Sequence, residues 1–423
     1  MVKYKIIGNM TGNSMDAIDL VLTEFDNDIM TDICAYSQPY GKNMQERIEN
    51  LRRLTYNKTR EEIMALPEFK PIHDDYIKQI ASCINHMCAQ NNIDKKTIDA
   101  IGFHGKTLDH NPPSKAQKDG SESYTLQIGS GQMLADLTQI PVVYDFRSDY
   151  LMNGFEGAPL VSPHNAHISA SEGDGCYYNG GNTSNFALII NGKAKIGSDA
   201  GPFNEYTDNY IRINSNKSFD FNGNIGKKGK LNIDLLQTIF DYGRIFYETD
   251  LPKSGDPAYY HKSEIFKYAK QQNISFYDAV HTFEYAAAYI AAYTLTLVPN
   301  NIALSNKIIL FGGGWKNLIV KESFANLMAE NSYVLPEHKL QFSNLKNKFI
   351  EPLSIKQSAF GDYMEARLFA DLARYKLENK VWEIPEIIQA NKKIVCGIIA
   401  NPQKPKSEYY DCINRAAKGW QRK

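Results

Sequence analysis

The chain has 423 residues, 43% hydrophobic and 22% charged, with a formal net charge of -1. That length exceeds one ordinary core and points to two lobes, while the balanced charge excludes a global basic field for nucleic acid or anionic lipid. No apolar run approaches the roughly 18 residues of a membrane span. The N-terminus lacks a signal-peptide core and the six cysteines lack CxxC spacing, so the reducing cytoplasm is expected, without membrane or nucleic-acid partners.

Lys5-Ile6-Ile7 and Ile18–Leu22 read as two strands of a hairpin around Gly12-Asn13-Ser14-Met15-Asp16. Helical spacing runs over 42–66 and 72–91, with Pro67 and Pro71 breaking between them. Ile98–Phe103 is a buried strand with His104 at its C-terminal end. Asn111–Ser123, rich in Pro, Ser, Lys and Gly, is expected to be an exposed loop. A helix over Gly131–Thr138 leads to the strand Pro141–Tyr144, which ends in Asp145-Phe146-Arg147. Phe186–Asn191 and Ala194–Gly197 read as strands after Gly180-Gly181-Asn182, and Asp199 follows in an open turn. Helices are expected over 203–214, 231–240 and Phe276–Val298. The strand Lys307–Phe311 delivers Gly312-Gly313-Gly314, with helices over Phe324–Asn331 and Gly361–Leu377 beyond. The alternation gives an α/β chain, and its early hairpin and midway Gly-Gly turn look like halves of one duplicated plan.

Glycines at strand ends let a ligand come close to main-chain N–H groups, and several of them suggest a cleft for a phosphorylated nucleotide. The first turn lacks P-loop spacing. Gly12, Asn13 and Ser14 offer backbone donors and a hydroxyl, and Asp16 and Asp19 offer carboxylates for a polyphosphate and its metal; a hairpin with a Ser/Asp cap uses the same residues. His104 can orient a substrate or simply be satisfied inside the fold. Asp145 and Arg147, two apart in an extended segment, face one side and suit a sugar hydroxyl and a carboxylate, or each other as an ion pair. Asp199 before Ala200-Gly201-Pro202 fits a general base and equally a turn former. Gly312–Gly314 leaves room for a base or ribose, or serves a tight strand–helix connection. His164 and His167 lack Cys or Glu partners at zinc spacing, and no nucleophile elbow anchors a hydrolase triad.

Seven stretches follow one another in a familiar order: Gly12–Asp19, Gly102-Phe103-His104-Gly105-Lys106-Thr107, Thr125-Leu126-Gln127-Ile128-Gly129 through Asp145-Phe146-Arg147, Gly157-Ala158-Pro159-Leu160-Val161, Asp199-Ala200-Gly201-Pro202-Phe203-Asn204, Leu251-Pro252-Lys253-Ser254-Gly255 and Phe311–Asn317. Together, from about residue 5 to 400, they resemble the anhydro-N-acetylmuramic acid kinase family, within the superfamily of sugar kinases, Hsp70 and actin. Asn13 stands where that family has Thr, and Ala17 and Phe203 where it has Gly. One extra residue precedes Asn185, and Ser254-Gly255 lacks an intervening Thr.

The resemblance implies two actin-like (ribonuclease H-like) α/β lobes with an interlobe ATP cleft. The expected division is 1–147, which the last helices can join, then 148–400, with 401–423 a basic tail. The implied activity is an ATP-dependent kinase that hydrolytically opens the 1,6-anhydro ring of anhydro-N-acetylmuramic acid and phosphorylates O6. Its product would be N-acetylmuramic acid 6-phosphate in cell-wall recycling, made by a cytoplasmic homodimer. In that scheme Asp199 takes a proton from the attacking water. Gly12, Asn13, Ser14, Gly180, Gly181 and Asn182 hold phosphates, with Asp16 near Mg2+, and Gly312, Gly313 and Gly314 receive the adenosine. His104, Asp145 and Arg147 hold the sugar, Arg147 by its lactyl carboxylate. Two other readings stay open: another sugar kinase of the superfamily, and a non-catalytic nucleotide or muropeptide sensor.

Overall fold

The computed structural model describes residues 3–12, 17–27, 29–255, 257–302, 304–346, 348–349, 353–358, 360–361, 363–385 and 390–418. The chain divides into two units, Met1–His164 with Tyr363–Lys423, and Asn165–Asp362. The first therefore runs past 147 and takes back the end of the chain, including the stretch expected as a tail.

In the first unit β1 (Lys3–Thr11), β2 (Ala17–Asp26) and β3 (Ile29–Pro39) form an antiparallel meander. Next come β4 (Ala100–Phe103), a separate hairpin of β5 (Lys106–Asn111) and β6 (Tyr124–Ile128), and β7 (Val142–Tyr144). β4 pairs parallel with β1 and β7 parallel with β4; the short strand Ile398–Ala400 closes that edge. Ile6 and Ile7 point to opposite faces of the sheet. Ile7 packs with Tyr76, Ile80 and Ile84 of the helix Phe69–Gln90, and Ile6 with Phe369 and Leu372 of the helix Met364–Leu377.

Two glycines explain why the final helix belongs to this unit. Gly8 and Gly102 are register partners on β1 and β4. A Cβ on Gly8 would stand 1.8 Å from the Ala366 carbonyl oxygen, and one on Gly102 would stand 1.9 Å from that of Phe369. Helix backbone meets sheet backbone there, with no room for a methyl group.

Local chemistry moves several expected boundaries. Thr59 and Glu62 form a capping box that starts a new helix, Arg60–Met64, so the 42–66 helix is broken after Leu54. Pro71 sits in the first turn of its helix, where a missing N–H costs nothing. The expected loop 111–123 contains the helix Pro113–Asp119, with Pro113 opening it and Gly120 ending it at φ 71°. The described residues after 400 pack on the first unit: Ile413 bridges Ile128, and Ile413 and Ala417 are each 2% exposed.

The second unit repeats the plan. β8 (Gly175–Gly180), β9 (Thr183–Ile190) and β10 (Lys193–Pro202) form a meander, with β11 (Lys307–Phe311) and β12 (Ser354–Gln357) parallel on the other side of β8. The order β10-β9-β8-β11-β12 matches β3-β2-β1-β4-β7, the ribonuclease H-like order, and accounts for the duplicated look of the sequence. Asp199 lies inside β10, not in a turn after it, beside a register shift between Asp199 and Gly201. The helix Phe276–Thr296 is buried along most of its length. No helix of the described residues is long and apolar enough to cross a membrane.

Candidate functional site

Each unit gathers its candidate groups at the carboxyl ends of its parallel strands, where ligands of open α/β sheets bind. In the first unit these are Gly12 after β1, His104 after β4 and Asp145 after β7. Asn13, Ser14 and Asp16 lie outside the described residues. The Gly12 carbonyl accepts from Lys106 Nζ at 2.8 Å, so a lysine pins the near end of that turn.

His104 is 6% exposed. Its Nε2 lies 3.1 Å from Gln127 Nε2 and 3.2 Å from Arg147 Nη2. A guanidinium only donates, so Nε2 is the acceptor and the ring proton sits on Nδ1. Burial, then the charges of Arg147 and Lys106, hold its pKa well below the ordinary value. His104 is thus a neutral, fixed acceptor.

Asp145 and Arg147 do not share one side. Asp145 has φ 57°, a left-handed backbone that ends β7 and breaks the extended path the spacing argument assumed. Its Oδ2 accepts from Arg415 Nε at 2.6 Å and from the Arg415 backbone N–H at 3.1 Å. Burial raises the Asp145 pKa, and Arg415 with the nearby Ser148 hydroxyl opposes that rise. Arg147 instead donates to the Gly157 carbonyl at 2.8 Å and reaches His104. The carboxylate is ion-paired within the chain, while the half-buried guanidinium stands over the histidine.

In the second unit Asp199, Asn185 and Asn179 sit side by side across β10, β9 and β8, so their side chains share one face. Asp199 Oδ2 accepts the Gly255 N–H at 2.7 Å, and the Asp199 N–H donates to the Lys253 carbonyl at 3.0 Å. The Lys253 ammonium is buried against the Phe246 and Tyr247 carbonyls, at 3.0 and 2.7 Å. Burial brings its pKa down to about 7, while Asp199 pulls the other way. The Asn185 carboxamide oxygen is buried without a hydrogen-bond partner.

Gly180–Asn182 and Gly312–Gly314 meet. A Cβ on Gly312 would stand 2.8 Å from the Gly180 carbonyl, and Gly312 has φ 92°. The Gly181 and Asn182 carbonyls accept from the Asn204 and Phe203 amides, at 3.1 and 2.7 Å. Gly313 differs: a Cβ there meets nothing within 4 Å, so neither packing nor a positive φ calls for its glycine. Bare backbone open on one side suits a flat ligand. Phe203 does not face that opening; it is 1% exposed, packed on Trp315.

Gln127 and Lys253 stood in the stretches that carry the resemblance but had no assigned role. Asn414 and Arg415 lie beyond those stretches, with no local signal to mark them.

A family model described as anhydro-N-acetylmuramic acid kinase matches residues 4–402. Among solved structures, component A of the (R)-2-hydroxyglutaryl-CoA dehydratase of Acidaminococcus fermentans is 12% identical over 89% of this chain and 100% of that one, with TM-score 0.38. A ROK family glucokinase from Streptomyces griseus, in complex with glucose and AMPPNP, is 12% identical over 88% and 99%, with TM-score 0.34. A ROK hexokinase from Thermus thermophilus is 10% identical over 86% and 97%, with TM-score 0.32.

Proposed function

Since the chain belongs to the anhydro-N-acetylmuramic acid kinase family, we propose that it opens the 1,6-anhydro ring of anhydro-N-acetylmuramic acid with water and phosphorylates O6 from ATP. Asp199 takes a proton from the water as its oxygen bonds to the anomeric carbon. The C1–O6 bond breaks, O6 bonds to the γ-phosphorus, and ADP departs. The product is N-acetylmuramic acid 6-phosphate.

The observation that carries this reading is the mounting of Asp199. One carboxylate oxygen is fixed by the Gly255 N–H and the backbone is fixed by Lys253, so the general base is aimed before substrate arrives. Gly313, open above its backbone, suits the nucleotide. Arg147 suits the lactyl carboxylate; His104, whose Nε2 is taken by Gln127 and Arg147, would meet a sugar hydroxyl with its Nδ1–H. Mg2+ bound with ATP would neutralise phosphate charge; Asp16, outside the described residues, is the residue assigned to it. The buried ring of Phe203 removes one ground for reading the chain as a sensor.

The test is product analysis by mass spectrometry after incubation with MgATP, anhydro-N-acetylmuramic acid and 18O-labelled water. The expected product is ring-opened, phosphorylated at O6, labelled at the anomeric oxygen and missing with Asp199→Asn. A phosphorylated sugar without the label, or equal use of the reducing sugar, would instead identify a simple sugar kinase.

A further inference from the structure

Residues 403–423 lie outside the family match, yet 411–416 are built into the first unit. The Thr125 N–H donates to the Ala416 carbonyl and the Gly129 N–H to that of Cys412, each at 2.9 Å, and the Asn414 N–H donates to Gln127 O at 3.1 Å. This stretch runs along β6 as an added strand does.

Its side chains reach two of the three residues that the resemblance assigns to the sugar, Asp145 directly and His104 through Gln127. Arg415 holds Asp145 with Nε, and its Nη1 and Nη2 each donate to Asp149 at 2.9 Å. Asn414 Oδ1 accepts the Gln127 N–H at 2.7 Å, and Asn414 Nδ2 donates to Ser148 Oγ at 3.1 Å. Gln127 in turn meets His104 Nε2. The space bounded by His104, Gln127, Asp145 and Asn414 is about 10 Å³, room for one water. His104 has no slack in which to turn.

We infer that Asn414 and Arg415 are positioning residues of the sugar-binding wall, Arg415 acting through Asp145 and Asn414 through Gln127 and His104. The inference rests on the sugar-kinase reading above. A removable plug would also cover Asp145, but leaving would strip β6 of its backbone partners on the edge away from β5 and expose Ile413 and Ala417. The segment is a fixed wall. Among the described residues the charged and titratable groups around Asp145 are Arg415 from this segment, Asp149 across the guanidinium, the neighbouring Tyr144 and, across the small cavity, His104. Loss of Arg415 leaves a buried carboxylate without its cation.

The test uses the full chain with Arg415→Met, Arg415→Lys and Asn414→Ala, the ATP KM and a cooperative melt serving as folding controls. KM for the anhydro-sugar is expected to rise by roughly tenfold to a hundredfold in Arg415→Met and Asn414→Ala, with the ATP KM unchanged. In Arg415→Met the acid limb of kcat/KM for the sugar moves to higher pH, and Arg415→Lys restores part of it. Unchanged sugar KM in both variants overturns the inference, as does a lower one, the mark of a plug. If Arg415→Met does not fold, Arg415→Lys and Asn414→Ala carry the test. If the wild-type chain makes no product, the kinase reading fails by itself. The inference is then decided by the 15N shift of His104 Nε2, which Asn414→Ala must displace.

Discussion

The Phe203 and Trp315 rings stand 4.6 Å apart beneath the glycine turns of the second unit. A Cβ on Gly180 would come 2.7 Å from the Phe203 ring, and one on Gly314 would come 2.6 Å from it. The ring fills the space that those two glycines leave. Phe203→Gly, which restores the family residue, therefore opens a cavity and should cost about 3 to 5 kcal/mol. Urea denaturation monitored by far-UV circular dichroism reads the loss. Unchanged stability would mean that the turns collapse onto one another without the ring.

Lys253 sits behind Asp199 with its ammonium on two helix-terminal carbonyls. Asp199 favours its charged form, and the effect is mutual. Replacement by Met removes a cation that stabilises the ionised base, so the acid limb of kcat should move to higher pH. It also leaves the Tyr247 carbonyl without its Lys253 donor, at about 1 to 3 kcal/mol, while the Phe246 carbonyl keeps the Thr249 N–H. A pH–rate profile in which only the amplitude falls would reduce Lys253 to a structural role.

Glu284 is fully buried, hydrogen-bonded by Asn317 Nδ2 at 2.7 Å, and its pKa is pushed up to about 9 by burial and by Asp220. The folded chain keeps this proton where an unfolded carboxyl, at its ordinary 4.5, has lost it. Its contribution is whole below about 4.5 and falls as pH rises toward 9, by at most about 1.4 kcal/mol per pH unit. Lys253, lowered from 10.5 to about 7, contributes the opposite slope above 7. The difference between wild type and Glu284→Gln, from denaturation at pH 5 to 9, isolates the carboxyl. That difference should slope against wild type as pH rises; a flat one would mean that Glu284 is charged in the fold.

The elements that could be read from the chain are those whose signal is local. The β1–β2 hairpin, the strand before His104, the Gly131–Thr138 helix and the strand before Gly312 each carry their own periodicity and punctuation. β3 escaped notice because an edge strand with exposed polar residues does not alternate cleanly. By sequence Asp199 reads as a turn residue because Gly-Pro usually makes a turn, whereas pairing with β9 carries the strand through it. The partner of Asp145 lies 270 residues away. No spacing rule reaches that far.

The order in which the chain is made bears on the glycine contact between Gly8, Gly102 and the helix Met364–Leu377. The second unit is one continuous stretch and has all its strands once the ribosome has passed residue 362. The first unit is begun first and finished last. Until its final helix emerges, the face of β1 that carries Ile6 lacks the helix packed on it, so during synthesis the nascent first half offers chaperones an apolar sheet surface that the finished unit hides.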